Sequence, residues 1–365
     1  MTVMLKRFSA WGTRNFSGWV TLDLSKTRDY QFNESCIRNG IIRNALIIGK
    51  NASGKTNLGR ALADIREAFM GKLPVDDNLY LNADNGAGFS KFRYTFDVDG
   101  NEVDYSYTKT RHCEFLEEKL SVGDKVVFDY NHETGTFLES NLDIVDAGYL
   151  NLNYRDAYVS IASYITNSVP QTETNVLAKI REFSTSLYTA DSIRRLSAEH
   201  RAAALSHIIE KGRVGDLERF LNAFGIEEPL EVLTNADGTK SVYLRCSNHS
   251  IPFADACSSG TALLLSYYIG FELDEPPSLI YIDEFDAFCH FEVADELLKF
   301  FSTKQQTQII CTTHNTSLVK NESMRPDCVF QIGQNREIRS LADSTDREIR
   351  RGHNMEKLLR AGEFN

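Results

Sequence analysis

The chain of 365 residues has no paired-cysteine motif. Its seven cysteines, Cys36, Cys113, Cys246, Cys257, Cys289, Cys311 and Cys328, are scattered and odd in number, without C-x-x-C or zinc-ligand spacing. That pattern excludes a disulfide framework and fits reduced thiols in a cytoplasmic protein. Positive charge is in deficit, with 40 Lys and Arg against 51 Asp and Glu and a net charge of −11. A protein that coats nucleic acid nonspecifically is thereby disfavoured, and any DNA contact is confined to one local basic face. No charged-then-apolar leader opens the sequence, and apolar runs such as 262–271 are too short to cross a bilayer, so no membrane partner is expected. The absence of a sustained heptad pattern rules out long coiled-coil arms, and there are no repeats or low-complexity segments. What remains is a globular chain, 42% apolar, long enough for two compact units.

The most informative stretch is residues 46–56, where the apolar run Leu46-Ile47-Ile48 enters Gly49-Lys50-Asn51-Ala52-Ser53-Gly54-Lys55-Thr56. This is a strand, a phosphate-binding loop and the start of a helix. Gly49 and Gly54 permit backbone angles that let successive N–H groups face phosphate oxygens, and the helix beginning near Lys55 adds its positive end. In such a loop Lys55 reaches the β- and γ-phosphates, and the Thr56 hydroxyl ligates Mg2+. An accidental glycine-rich turn is the alternative. It is opposed by all four fixed positions, the β-branched run before them and the helical Asn57-Leu58-Gly59-Arg60-Ala61-Leu62 after them.

Three further segments narrow the class. Ser278-Leu279-Ile280-Tyr281-Ile282-Asp283-Glu284 is an apolar strand ending in two carboxylates, the form of a Walker B element. Asp283 is expected to hold the magnesium, and Glu284 to polarise the attacking water. A helix-capping acidic pair is the structural alternative. Gln308-Ile309-Ile310-Cys311-Thr312-Thr313-His314 is a second buried strand, and His314, some thirty residues after Glu284, stands where a histidine senses the γ-phosphate. Ser258-Ser259-Gly260-Thr261 precedes a helix-like run about twenty-five residues before Asp283. It reads either as an ordinary helix cap or as an anion site.

Together these segments resemble the SMC/RecF-type branch of ABC ATPases. More closely, the chain is similar to the compact ATPases of bacterial anti-phage and abortive-infection operons, of the AriA type in PARIS and the PtuA type in Septu. The opening Met4-Leu5-Lys6-Arg7-Phe8-Ser9-Ala10 with Asn15-Phe16, and the Gly-x-Phe tail at Gly362 and Phe364, fit the same group. The resemblance implies nucleotide contacts from Gly49, Asn51, Ala52, Ser53, Gly54, Lys55, Thr56 and Asn57, with Ser258 and Gly260 completing the site of a second subunit. It implies Mg2+ at Thr56 and Asp283, and catalysis by Glu284, His314 and Lys55. The chain departs from the branch in three places. Ser259 replaces a signature glycine, His290 stands where a D-loop aspartate is expected, and Gln171 is the Q-loop candidate by chain order alone. Arg14 is open to two readings, a nucleotide contact or an exposed arginine.

The expected fold is α/β, an ABC-type P-loop ATPase head with a mixed and antiparallel β-subdomain and a helical insert. Its divisions are 1–150, an N-terminal lobe with Walker A and the β-subdomain; 151–228, the helical insert; and 229–365, a C-terminal lobe with signature, Walker B and switch histidine. Period-two aromatics at Phe92, Tyr94, Phe96 and at Tyr105, Tyr107 flank Asp99-Gly100, the mark of a β-hairpin, and a second hairpin is expected at Asp237-Gly238. Core packing is the favoured reading of those tyrosines over base stacking. Helices are expected from Val176, over 192–211 and around 217–221. The second carries Arg194, Arg195, His200 and Arg201, with Lys211 and Arg213 at its end, a cluster that reads as a solvated face or as a docking surface.

The functional expectation is an ATPase that sandwiches ATP between two copies of itself. The resemblance adds a defence role in which it senses infection, with a phage protein as a possible trigger, and holds or releases a separate toxic nuclease. A RecF-like repair ATPase acting on DNA ends or gaps is the alternative. A GTPase is disfavoured by the lack of Asn-Lys-x-Asp, and a P-loop kinase by the lack of a recognisable acceptor site and lid.

Overall fold

The computed structural model describes residues 3–71, 80–110, 113–150, 156, 158–170, 172–189, 197–273 and 275–364. Gln171, Arg194 and Arg195 lie outside the described residues.

Two large sheets organise the chain. The first runs in the order Tyr188–Thr189, Leu279–Ile282, Gln308–Thr313, Asn44–Ile48, Val329–Ile332 and Ile338–Ser340, with every pair parallel except the last. Every residue of Leu279–Ile282, Gln308–Thr313 and Asn44–Ile48 is buried, as parallel strands covered on both faces require. Ile282 pairs with Cys311 and Thr313 with Ile48, so the carboxyl ends of the three strands stand side by side. The segments that leave them, which begin at Gly49, Asp283 and His314, therefore share one sheet edge, where open parallel sheets place their ligands.

The second sheet is antiparallel, in the order Thr136–Ser140, Lys125–Asn131, Phe115–Val122, Asn101–Thr110, Phe89–Val98, Val3–Trp11 and Val20–Asp23. Val98 faces Asn101 across a two-residue turn whose Asp99 and Gly100 have φ of 52° and 85°, the mirror-image geometry that suits strand twist. Phe92, Tyr94, Phe96, Val103, Tyr105 and Tyr107 are all buried, so the tyrosines belong to the core. Their face packs on the helices after the phosphate loop. The Tyr94 hydroxyl lies 3.3 Å from the carbonyls of Ala61 and Leu62, and the Phe69 ring lies tilted with its centroid 5.6 Å from that of Tyr105.

The helices from Val176 and around 217–221 are present as Val176–Thr185 and Val214–Ala223. The one expected over 192–211 is described as Ala198–Glu210, capped by Ser197. The helix Ile161–Ser168 lies within the 151–228 stretch expected to be helical, although it was not singled out there. Its first turn is held by buried Glu118, which accepts the N–H groups of Ile161 and Ala162 at 2.7 and 2.9 Å. Within the basic cluster, Arg201 donates to the Ala254 carbonyl, Lys211 to that of Leu273, and Arg213 pairs with Asp216. These three cations are engaged within the chain.

The expected second hairpin is the pair Leu230–Thr234 and Lys240–Arg245, extended by Ser250–Pro252 into a small sheet ahead of the helix Ser259–Tyr268. The last helix, Met355–Arg360, is followed by Gly362 at φ 79° and the buried Phe364. Among the described residues, no helix is long and apolar enough to cross a membrane.

Candidate functional site

The phosphate loop is already shaped. Ala52 and Gly54 have φ of 62° and 114°, and the helix Lys55–Leu62 begins directly after them. A Cβ on Gly54 would lie 2.7 Å from Asn15 Nδ2 and 3.0 Å from Phe16, so both the backbone angle and the space demand glycine. A Cβ on Gly49 would come within 2.7 Å of Ser53 Oγ. The Asn15-Phe16 turn braces the loop from outside. Asn15 accepts from Asn57 Nδ2 at 2.9 Å, and its own amide reaches the Ser53 carbonyl at 3.5 Å. Lys55 is buried, and its ammonium donates to the carbonyls of Gly49 and Lys50 at 2.8 and 3.2 Å. Ser53 Oγ is buried without a protein partner, an orphaned polar atom inside a loop built to receive anionic oxygens.

Beside the loop, the Walker B carboxylate is gripped at both oxygens. Asp283 Oδ2 accepts the Thr56 hydroxyl at 2.5 Å, and Oδ1 accepts the Thr312 hydroxyl at 2.6 Å. Thr56 and Asp283, 227 residues apart in sequence, thus meet in the fold. A hydroxyl and a single carboxylate form a hard oxygen pair of the kind Mg2+ uses when phosphates and water fill its remaining positions. Among the described residues no cluster of three or more His, Cys, Asp or Glu could hold a metal ion.

Glu284 follows with φ of 47°, a left-handed conformation that costs a non-glycine residue roughly 1–3 kcal/mol. Its N–H donates to Thr312 Oγ1 at 2.8 Å, and the next N–H, of Phe285, donates to the Thr312 carbonyl at 3.1 Å. His314 lies just beyond the strand that carries Thr312 and is exposed. The turn after it is closed by Asn315, whose N–H donates to Thr313 Oγ1 at 2.9 Å. The tail reaches this turn as well, through a 2.8 Å bond from Ser317 Oγ to Glu356.

Ser258 and Gly260 sit elsewhere on the same chain. Ser258 caps its own helix, accepting the Thr261 N–H at 3.1 Å, and a Cβ on Gly260 would lie 3.0 Å from the Phe288 carbonyl. Among the described residues no hydrogen bond joins either of them to residues 49–57, and Ser258 is exposed. The signature helix is nevertheless tied to the Walker B turn, since the Tyr267 hydroxyl donates to the Phe285 carbonyl at 3.1 Å. Arg14 is held through its backbone, its N–H donating to the Tyr80 carbonyl at 2.9 Å and its φ being 52°.

Tyr281 is the residue the sequence reading passed over. Its hydroxyl donates to the Lys55 carbonyl at 2.5 Å, and its ring fills the space a Cβ on Gly59 would enter at 2.4 Å. Burial, reinforced by the Asp283 charge, pushes its phenol well above the ordinary range. The available signal was Gly59, a glycine one turn into a helix that otherwise has no need of one.

The family described as "AAA domain, putative AbiEii toxin, Type IV TA system" matches residues 45–320, from the phosphate-loop strand to just past His314. No curated protein matches the chain. Among solved structures, an SMC head bound to the C-winged helix domain of ScpA is similar at 12% identity, covering 92% of this chain and 97% of its own, with a TM-score of 0.53. The SMC head domain from Thermotoga maritima aligns at 16% identity over 92% and 98% of the two chains, with a TM-score of 0.46. With three quarters of its length matched by that family, the chain belongs to the AAA-type ATPase domains described as putative AbiEii toxins of type IV toxin–antitoxin systems, on the mixed α/β fold of an SMC-like ABC head.

Proposed function

We propose that this chain is an ATP hydrolase of an anti-phage, abortive-infection system, similar in kind to the AriA and PtuA ATPases. The observation that carries the hydrolase reading is the convergence of Thr56, Asp283, Thr312 and Glu284 through bonds of 2.5 to 2.8 Å beside a shaped phosphate loop. Lys55 and the loop amides of residues 49–56 bind the triphosphate, with Asn57 placed behind them. Thr56 and Asp283 hold Mg2+, which when bound neutralises phosphate charge. Glu284 takes the proton of the attacking water, and His314 steadies that water from the neighbouring strand.

Ser258 and Gly260 act on the other copy. The exposure of Ser258 at a helix N-terminus, with no hydrogen bond among the described residues to the loop of its own chain, supports a composite site in which ATP joins two subunits. The 1–150 lobe then supplies the loop, the 229–365 lobe supplies the signature, Walker B and His314, and the 151–228 helices are the candidate docking surface for a separate nuclease. The toxin–antitoxin description of the family favours this cytoplasmic defence role over the RecF-like repair reading. The test is complementation. Lys55→Ala and Ser258→Arg chains, each inactive alone, are mixed, and recovered MgATP turnover is the expected result. A mixture that stays inactive while wild type hydrolyses ATP contradicts the shared site. Toxicity of the chain expressed without its partner contradicts the effector arrangement.

A further inference from the structure

We infer that Thr312 is a positioning residue of this site, its one hydroxyl fixing the Asp283 carboxylate and the Glu284 backbone together and joining both to the strand that carries His314. The inference rests on the proposed roles of Asp283, Glu284 and His314 and adds the group that aligns them.

Thr312 is fully buried on a strand whose six residues are all buried. A hydroxyl there is costly unless its bonding capacity is used. Here it is used in both directions: the O–H donates to Asp283 Oδ1 at 2.6 Å while the oxygen accepts the Glu284 N–H at 2.8 Å. The backbone of the same residue accepts the Phe285 N–H at 3.1 Å. One residue therefore holds three successive positions of the Walker B turn.

The location gives those bonds their consequence. The ladder between Leu279–Ile282 and Gln308–Thr313 ends at the pair Ile282 and Cys311, so residues 283–285 lie past its last pair. Glu284 then turns the chain with φ of 47°, which the ladder does not hold. The Thr312 side chain takes over at that point. Because Asp283 Oδ2 is bonded to Thr56, rotating the carboxylate would break the Thr56 and Thr312 bonds together. The Mg2+ ligand, the Glu284 turn and the strand leading to His314 accordingly move as one body.

A packing role and a positioning role predict opposite orders for two near-isosteres. Thr312→Val keeps the shape and removes the hydroxyl; Thr312→Ser keeps the hydroxyl and removes a methyl. In the nucleotide-free protein, amide exchange of the peptide spanning 282–286 should accelerate in the Val variant and stay near wild type in the Ser variant. With MgATP, Val should lower kcat about tenfold or more, while Ser stays within about threefold. Val should also raise the Mg2+ concentration needed for half-maximal turnover, with Kd for ATP changed by less than about threefold. If the Val chain does not fold, Thr312→Ala against Thr312→Ser gives the same comparison. Unchanged exchange and kcat in the variant lacking the hydroxyl, or a Ser variant as impaired as Val, overturns the inference. A wild-type chain that hydrolyses no ATP overturns the hydrolase reading instead, and the exchange comparison still decides whether Thr312 holds the turn.

Discussion

Neutralising Asp64 should loosen the junction between the two layers. Lys109 reaches up from the antiparallel sheet with its ammonium 2.7 and 2.9 Å from the two Asp64 oxygens, and the Tyr107 hydroxyl donates to the same carboxylate at 2.7 Å. Both side chains are almost sealed, at 3% and 4% exposure, and the ammonium is ringed by Tyr80, Phe92, Tyr107 and Phe115 at 5.3 to 5.8 Å. Asp64 opens the helix that continues from the phosphate-loop helix, so this pair bolts the nucleotide layer to the sheet. Asp64→Asn keeps the shape and strands a buried cation, a loss of about 3–5 kcal/mol. With roughly 2.1 cal/mol/K of unfolding entropy per residue over 365 residues, the thermal midpoint should fall by about 4–7 °C. Lys109→Met should be costly in its turn by leaving the carboxylate with Tyr107 alone. Combining the two changes removes both charges and should recover most of the loss. Thermal unfolding followed by circular dichroism on the four proteins completes the cycle. A shift below about 1 °C for Asp64→Asn, or strict additivity, would refute the account of a desolvated pair.

Gly59→Ala should destabilise by about 1–3 kcal/mol, because its Cβ would meet the Tyr281 ring at 2.4 Å, and Tyr281→Leu in the same chain should return part of that loss in a melting assay. Gly100→Ala should cost about 1 kcal/mol by placing a side chain at φ 85° in the hairpin turn, readable as a lowered denaturation midpoint. At pH 8, brief iodoacetamide treatment and peptide mass analysis should find Cys246 modified first, since it is exposed, with Cys311 and Cys328 protected by burial. Cys289, pushed by burial to about 11, should gain reactivity as pH rises toward that value; flat reactivity between pH 8 and 10 would contradict its protonated state.

What could be read in advance was local chemistry. The loop around Lys55, the Asp99-Gly100 turn and the apolar strands before Asp283 and His314 each declare themselves within a dozen residues, through glycine, turn chemistry or unbroken apolar runs. What stayed hidden depends on partners far apart in sequence. Nothing in residues 308–313 announces that Thr312 bonds to Asp283 29 positions earlier, and a tyrosine within an apolar strand does not reveal a bond to Lys55 226 positions away. Within the stretch expected to be helical, the helix Ile161–Ser168 was not singled out for the same reason. Its short run is stabilised by the carboxylate of Glu118 from the sheet, a signal absent from the helix's own sequence. The basic cluster near 200–213 was open to two readings, a solvated face or a docking surface, because charge alone does not tell what a cation meets; the structure supplies carbonyls for Arg201 and Lys211.

The central claim is that ATP is hydrolysed at the sheet edge where Thr56, Asp283 and Glu284 are joined. The most direct measurement is steady-state phosphate release from MgATP by the wild-type chain and by Glu284→Gln, with bound nucleotide counted in parallel. The account predicts turnover by the wild type, a loss of about 10²- to 10⁴-fold in the variant, and ATP retained on a joined pair of subunits. Equal turnover in the two proteins, or a variant that neither retains ATP nor assembles, would contradict it.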